Sequence, residues 1–132
     1  MNISEIGKKV LSIEAEAIQS SIPRIEKSLE KAVNLIYHAN GRVVVTGMGK
    51  SGLIGKKIAA TMTSTGTPSV FLHPSEALHC DIGIINADDI VLALSSSGNT
   101  AEIVGLINYL KRIGVKLIAL IGNTDSVLAE QS

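Results

Sequence analysis

Ser95-Ser96-Ser97-Gly98-Asn99-Thr100 concentrates hydroxyl donors in a way that suits an anion. The segment follows the apolar run Ile90 to Leu94 and precedes AEIVGLINYL, so the pattern predicts a buried strand, a turn and a helix over Ile90 to Leu110. At such a junction the first helical N–H groups are unpaired and the dipole presents positive charge, which favours phosphate or carboxylate. Ser97 or Thr100 serving only as a helix cap is the alternative, but three consecutive serines exceed what one cap requires. A second loop, Gly47-Met48-Gly49-Lys50-Ser51-Gly52, has the glycine spacing of a dinucleotide-binding turn. That use asks for an acid about 20 positions on to hold a ribose, where this chain has Phe71, Leu72 and His73. A P-loop would need glycine where Val44 stands. What remains is a glycine turn placing Lys50 and Ser51 at a helix N-terminus. A lysine there opposes the dipole, and an anionic ligand would offset that cost.

Other groups able to do chemistry lie in the stretch His73-Pro74-Ser75-Glu76-Ala77-Leu78-His79-Cys80-Asp81. Its spacing matches no structural zinc motif. Pro74 and Ser75 predict a helix start with Glu76 in its first turn, so Glu76 and Asp81 read as structural. His73, ending a strand, and His79, after a short helix, suit either packing or acid–base work. Cys80 has no partner cysteine and no base at a defined spacing, and reads as a small, partly buried residue. Glu102 falls in the first turn of the helix after the serine loop, where the dipole alone favours an acid. Beside a bound dianion a carboxylate is repelled, a placement that proton transfer to a substrate carbon would justify.

Alternating strands and helices must position these loops. Strands are predicted at Arg42 to Thr46, Ser69 to Leu72, Ile90 to Leu94 and Lys116 to Ile121, with helices at Ser51 to Thr65 and Thr100 to Ile113. The alternation implies right-handed crossovers and a parallel sheet. In a doubly wound sheet of order 2-1-3-4 the reversal falls between the first and third strands, and the two loops meet at that switch point. Upstream, Ile6, Val10, Ile13 and Ala17, then Ile25, Leu29, Val33 and Ile36, predict two amphipathic helices separated at Pro23 and stopped by Asn40 and Gly41. His38 suits the end of the second helix as a cap.

Composition narrows the partners. Twelve basic against twelve acidic residues and 2% aromatics leave neither a basic stripe nor stacking platforms, which excludes nucleic acid. No apolar run spans a bilayer and no signal peptide opens the chain, so no membrane partner is expected. One cysteine makes no intrachain disulfide. A soluble globular domain in a reducing, cytoplasmic setting is the expectation.

The runs TGMGKSGLIGKKIAATMTSTGTPSVFLHPSEALHCDIG and LALSSSGNTAEIVGLINYLKR resemble the SIS (sugar isomerase) domain, and within it the arabinose-5-phosphate isomerases. The resemblance covers essentially the whole chain as a single domain, with N-terminal helices at 1–40 and an α/β part at 41–132. It rests on GMGKSG, STGTPSxFxHPxEAxHxD and SxSGxxxEI. It implies a three-layer, flavodoxin-like α/β fold and interconversion of ribulose 5-phosphate and arabinose 5-phosphate, supplying the eight-carbon sugar acid of lipopolysaccharide or capsule. Carried over by position, it makes Lys50 and Glu102 catalytic. The substrate contacts it implies, together with the loops read above, are Ser51, Gly66, Thr67, His73, His79, Ser95, Ser97 and Thr100. It makes His73 a position where zinc can bind and inhibit, requires no cofactor, and implies a homo-oligomer, tetrameric in the full-length family. Asn99, Leu78 and Cys80 depart from residues common in relatives. The family continues past the position of Ser132 through a fifth strand, a helix with another catalytic glutamate and a His-Pro-Gly-Gly segment with a catalytic histidine, usually followed by paired CBS modules. The fourth strand is therefore expected at an open sheet edge. A non-catalytic sugar-phosphate sensor, needing the serine loop but not Lys50 and Glu102, is the rival from another class. An isomerase of hexose or heptose phosphates is the second.

Overall fold

A computed structural model describes residues 2–132, apart from the side chains of Cys80 and Asp81. Two compact units follow one another, residues 1–35 and 36–132.

The first unit is helical. Asn2 opens helix α1, Ile3–Tyr37, with a capping box: its Oδ1 accepts from the Glu5 N–H at 2.9 Å while Glu5 Oε2 accepts from the Asn2 N–H at 3.1 Å. The two predicted helices are one, because α1 runs through Pro23. Proline removes a backbone donor and crowds the preceding turn, and the turns beside it carry additional side-chain bonds. The Ser20 and Ser21 hydroxyls both donate to the Ala17 carbonyl, and Arg24 donates to the Ser20 carbonyl at 3.1 Å and to its hydroxyl at 3.2 Å. No residue of α1 is buried, and its aliphatic side chains, Ile18 and Ile22 among them, are exposed.

The second unit alternates β1 (Val43–Gly47), α2 (Gly49–Ser64), β2 (Ser69–Phe71), α3 (Pro74–Glu76), β3 (Ile90–Ser95), α4 (Ala101–Ile113), β4 (Lys116–Ile121) and α5 (Val127–Gln131). A π-helical turn, Ala77–Asp81, and a 3-10 turn, Ile82–Ile84, continue from α3. All four strands are parallel in the order β2-β1-β3-β4, as the alternation predicts. Strands fall within a residue of their expected bounds. β1 and β3 are buried at every position, which is why they read as unbroken apolar runs.

Side chains of β1 alternate between two cores. Val43 and Val45 pack with Leu92, Leu94 and Ala59 on the α2 side. Val44 packs with Val91, Leu106 and Leu110 on the α4 side. Leu128 of α5 joins Ala93, Ile103 and Ile107 in a third cluster. At the amino edge the buried Asp89 carboxylate accepts from the N–H groups of Arg42 and Asn86, each at 2.9 Å, tying the starts of β1 and β3 together.

Candidate functional site

The parallel register sets Gly47 against Leu94 and Thr46 against Ala93. The turns after β1 and β3 therefore leave the sheet side by side at its carboxyl edge. Helix α2 packs on one face and α4 on the other, so their N-termini straddle this edge. A cleft of about 310 Å³ opens there, lined by Lys50, Ser51, Ile54, Leu94, Ser96, Leu120, Ile121 and Gly122.

Lys50 lies one residue into α2, which starts at Gly49 rather than at the expected Ser51, and its side chain is exposed. No side chain caps this helix end. The turn is tight: a Cβ on Gly52 would lie 2.6 Å from the Gly47 carbonyl oxygen, so the helix and turn meet only without one.

The serine loop is folded by its own hydroxyls. Ser95, buried, holds its Oγ 2.7 Å from Thr100 Oγ1 and accepts from the Gly98 N–H at 3.0 Å. Ser97 Oγ accepts from the Asn99 N–H at 3.2 Å. Thr100 occupies the N-cap of α4 without a side-chain capping bond, so the cap alternative does not describe it. The Ala101 and Glu102 N–H groups meet no acceptor among the described residues, the ordinary state of a helix start and the donor set an anion uses. Either hydroxyl of this pair can donate, and in the arrangement where Ser95 does, the Thr100 hydroxyl retains a proton for a ligand. Ser96 and Ser97 are exposed.

Glu102 is half-buried in the first turn of α4. It does not line the cleft with Lys50; the helices that carry the two residues pack on opposite faces of the sheet. His73 is the residue before α3 at the carboxyl end of β2, half-buried, and His79 is exposed on the π-helical turn. π-turns recur at functional sites, and nothing in the spacing announced this one. Among the described residues no three His, Cys, Asp or Glu side chains converge on a metal position. The readings of Cys80 as partly buried and Asp81 as structural lie outside the described side chains.

Gly66 and Thr67 lie elsewhere. They join α2 to β2 at the amino edge, where the Val43 N–H bonds the Pro68 carbonyl. One strand length, roughly 17 Å for five residues, separates that edge from Lys50 and Ser97. Within one chain the fold does not bring them to the cleft.

Sequence reasoning missed two features. The Thr46 hydroxyl is buried without a hydrogen-bond partner among the described residues, on the sheet face that carries Ala93 and Ser95. A hydroxyl near the end of a valine strand was the available signal. The segment 122–128 also holds the serine loop, through Gly122 N–H to Ser96 O at 3.1 Å, Leu128 N–H to Gly98 O at 3.1 Å and Val127 N–H to Asn99 Oδ1 at 2.9 Å.

A parallel α/β sheet with the turns after β1 and β3 side by side at its switch point defines the class: a doubly wound domain with two helix-leading loops at the carboxyl ends of its central strands. Residues 35–132 match the SIS domain, and the chain belongs to that family. Arabinose 5-phosphate isomerase KdsD of Pseudomonas aeruginosa is 54% identical over 124 residues, covering 94% of this chain and 38% of that protein. KdsD of Escherichia coli K12 is 45% identical over 128 residues, covering 97% and 39%. A protein of Escherichia coli CFT073, solved in complex with arabinose 5-phosphate, superposes with a TM-score of 0.89 at 36% identity, covering 99% of this chain and 71% of that one. The chain thus spans about two fifths of the length of these curated relatives.

Proposed function

We propose that this chain is the sugar-phosphate-binding part of an aldose–ketose isomerase interconverting D-ribulose 5-phosphate and D-arabinose 5-phosphate through an enediol. The observation that carries this reading is the pairing of Gly47 with Leu94, which puts the Lys50 turn beside the serine loop. The names of relatives aligning over nearly the whole chain supply the substrate.

In this reading the phosphate sits at the α4 N-terminus on the free amides of Ala101 and Glu102 and the hydroxyls of Ser96, Ser97 and Thr100. Ser95 shapes the loop from beneath. The fixed phosphate orients the open-chain sugar. A base takes the C2 proton of the aldose while O1 gains a proton, giving the enediol; C1 then receives a proton as O2 loses one. Glu102 is the base or its partner, and Lys50 together with Ser51 stabilises the oxyanion. His73 and His79 contact the sugar and assist ring opening. Zinc on His73 would inhibit by taking a substrate position, and the proton shift needs no cofactor. Gly66 and Thr67 reach such a substrate only from a second copy of the chain, so the proposed assembly is a homo-oligomer, a tetramer by the resemblance. The product would feed synthesis of the eight-carbon sugar acid of lipopolysaccharide or capsule in the cytoplasm.

One observation favours a second reading: Glu102 does not share the cleft with Lys50. A sugar-phosphate sensor would keep the loop and need neither side chain. Turnover of ribulose 5-phosphate by the full-length protein separates the two. Lys50→Ala and Glu102→Gln should each lower kcat by about 100-fold or more, the scale of a lost acid, base or electrostatic group. No turnover in the parent would leave the sensor standing, and unchanged rates in both variants would remove Lys50 and Glu102 from the chemistry.

A further inference from the structure

The serine loop has acceptors as well as donors, and three of those acceptors are held by one neighbouring segment. The carbonyls of Ser96 and Gly98 and the Oδ1 of Asn99 accept from the N–H groups of Gly122, Leu128 and Val127, at 3.1, 3.1 and 2.9 Å. All three donors come from one stretch between β4 and the first turn of α5. That stretch is itself built to hold position. Asn123 Oδ1 accepts from the Asp125 N–H at 3.0 Å, the buried Ser126 hydroxyl donates to the Asn123 carbonyl at 2.8 Å, and Leu128 is fully buried against Ala93, Ile103 and Ile107. Contact is close enough that a Cβ on Gly98, at φ +68°, would collide with the Ser126 side chain.

The electrostatic consequence is directional. Carbonyl and amide oxygens turned toward an anion repel it, whereas the same oxygens held by amides behind the loop leave N–H and O–H groups to face the cleft. We propose that Asn99 is a positioning residue: by accepting from the Val127 N–H it locks the serine loop onto the 122–128 segment with its donors outward, and so sets affinity for the phosphate without touching it. The inference rests on the phosphate reading above and deepens it. Asn99 is exposed and Val127 N–H lies at a helix start, so the bond is separable from the core.

The test titrates inorganic phosphate into the full-length protein by calorimetry and follows amide exchange in peptides covering 123–128 by mass spectrometry. Asn99→Leu, similar in size but without an acceptor, should weaken phosphate by about tenfold, the scale of one lost hydrogen bond. It should also speed exchange in that peptide while leaving the thermal melt within a few degrees. Asn99→Gln keeps a neutral amide acceptor on this exposed side chain and should bind within about threefold of the parent, with protection retained. Parent-like affinity in Asn99→Leu overturns the positioning role alone, and so does an equal loss in both variants. A parent that binds no phosphate at millimolar concentrations overturns the anion reading together with this inference.

Discussion

At Gly98 a single hydrogen atom in place of a side chain decides the shape of the loop. Its φ of +68° is one that L side chains rarely adopt, and Ser126 fills the space where a Cβ would go. Gly98→Ala should therefore cost about 2 kcal/mol or more, from left-handed strain of roughly 1–2 kcal/mol plus the displaced Ser126. Adding Ser126→Gly should recover the steric part and leave the strain, a coupling that thermal melts of the two single variants and the double would reveal. Strictly additive losses would show that the contact is not what resists the methyl group. The donors of this loop were legible in the sequence, because serines between an apolar strand and an amphipathic helix have few other uses. The pairing of Ser95 with Thr100 was not, since residue type does not say which hydroxyl turns inward. Nor was the part played by Asn99, whose partner lies 28 positions on in a segment with no strong periodicity.

Among the elements, α4 is the platform on which the serine loop stands, and its apolar stripe fixes how it stands. Ile103, Leu106, Ile107 and Leu110 are buried while Asn108 and Gly105 face out, the spacing expected of one helical face against a sheet. Leu106→Ala should cost about 2–5 kcal/mol by denaturant unfolding, against less than about 0.5 for Asn108→Ala, because only the first empties a packed site. Equal effects would contradict this orientation of α4. Periodicity located α4 and the strands almost to the residue for the same reason that it makes them stable, namely burial of a repeating face. It failed at Pro23, where a local rule predicts a break. α1 continues there beside bonds from Ser20, Ser21 and Arg24 that follow from side-chain geometry rather than from pattern. It also passed over α5, five residues started by Ser126, whose Oγ accepts from the Ala129 N–H. A run that short has no period to read.

On the scale of the whole chain, two apolar surfaces are exposed among the described residues. Ten aliphatic residues of α1, from Ile3 to Val33, are between 44% and 88% exposed, a surface on the order of 1,000 Å² where a typical monomer's largest patch is about 300–600 Å². β4 is a sheet edge with Leu120 54% exposed. Purified protein should sediment as a dimer or larger assembly, and charged substitutions at Ile18 and Ile22 should shift it toward monomer without unfolding the sheet. A monodisperse, cooperatively folding parent monomer at micromolar concentration would refute this. The β1–β3 pair has a different consequence. It joins Val43 to Ile90, and all of α2 and β2 lies in the chain between them. The two loops become neighbours only after that long closure is complete, so a partly folded or still-emerging chain has no such pocket. A molecule bridging both loops binds the finished fold alone, adding about 2.7 kcal/mol at 100 times its Kd. The supply of such a metabolite would then help set how much of this protein survives quality control, and a cell starved of it would lose the protein sooner than its message.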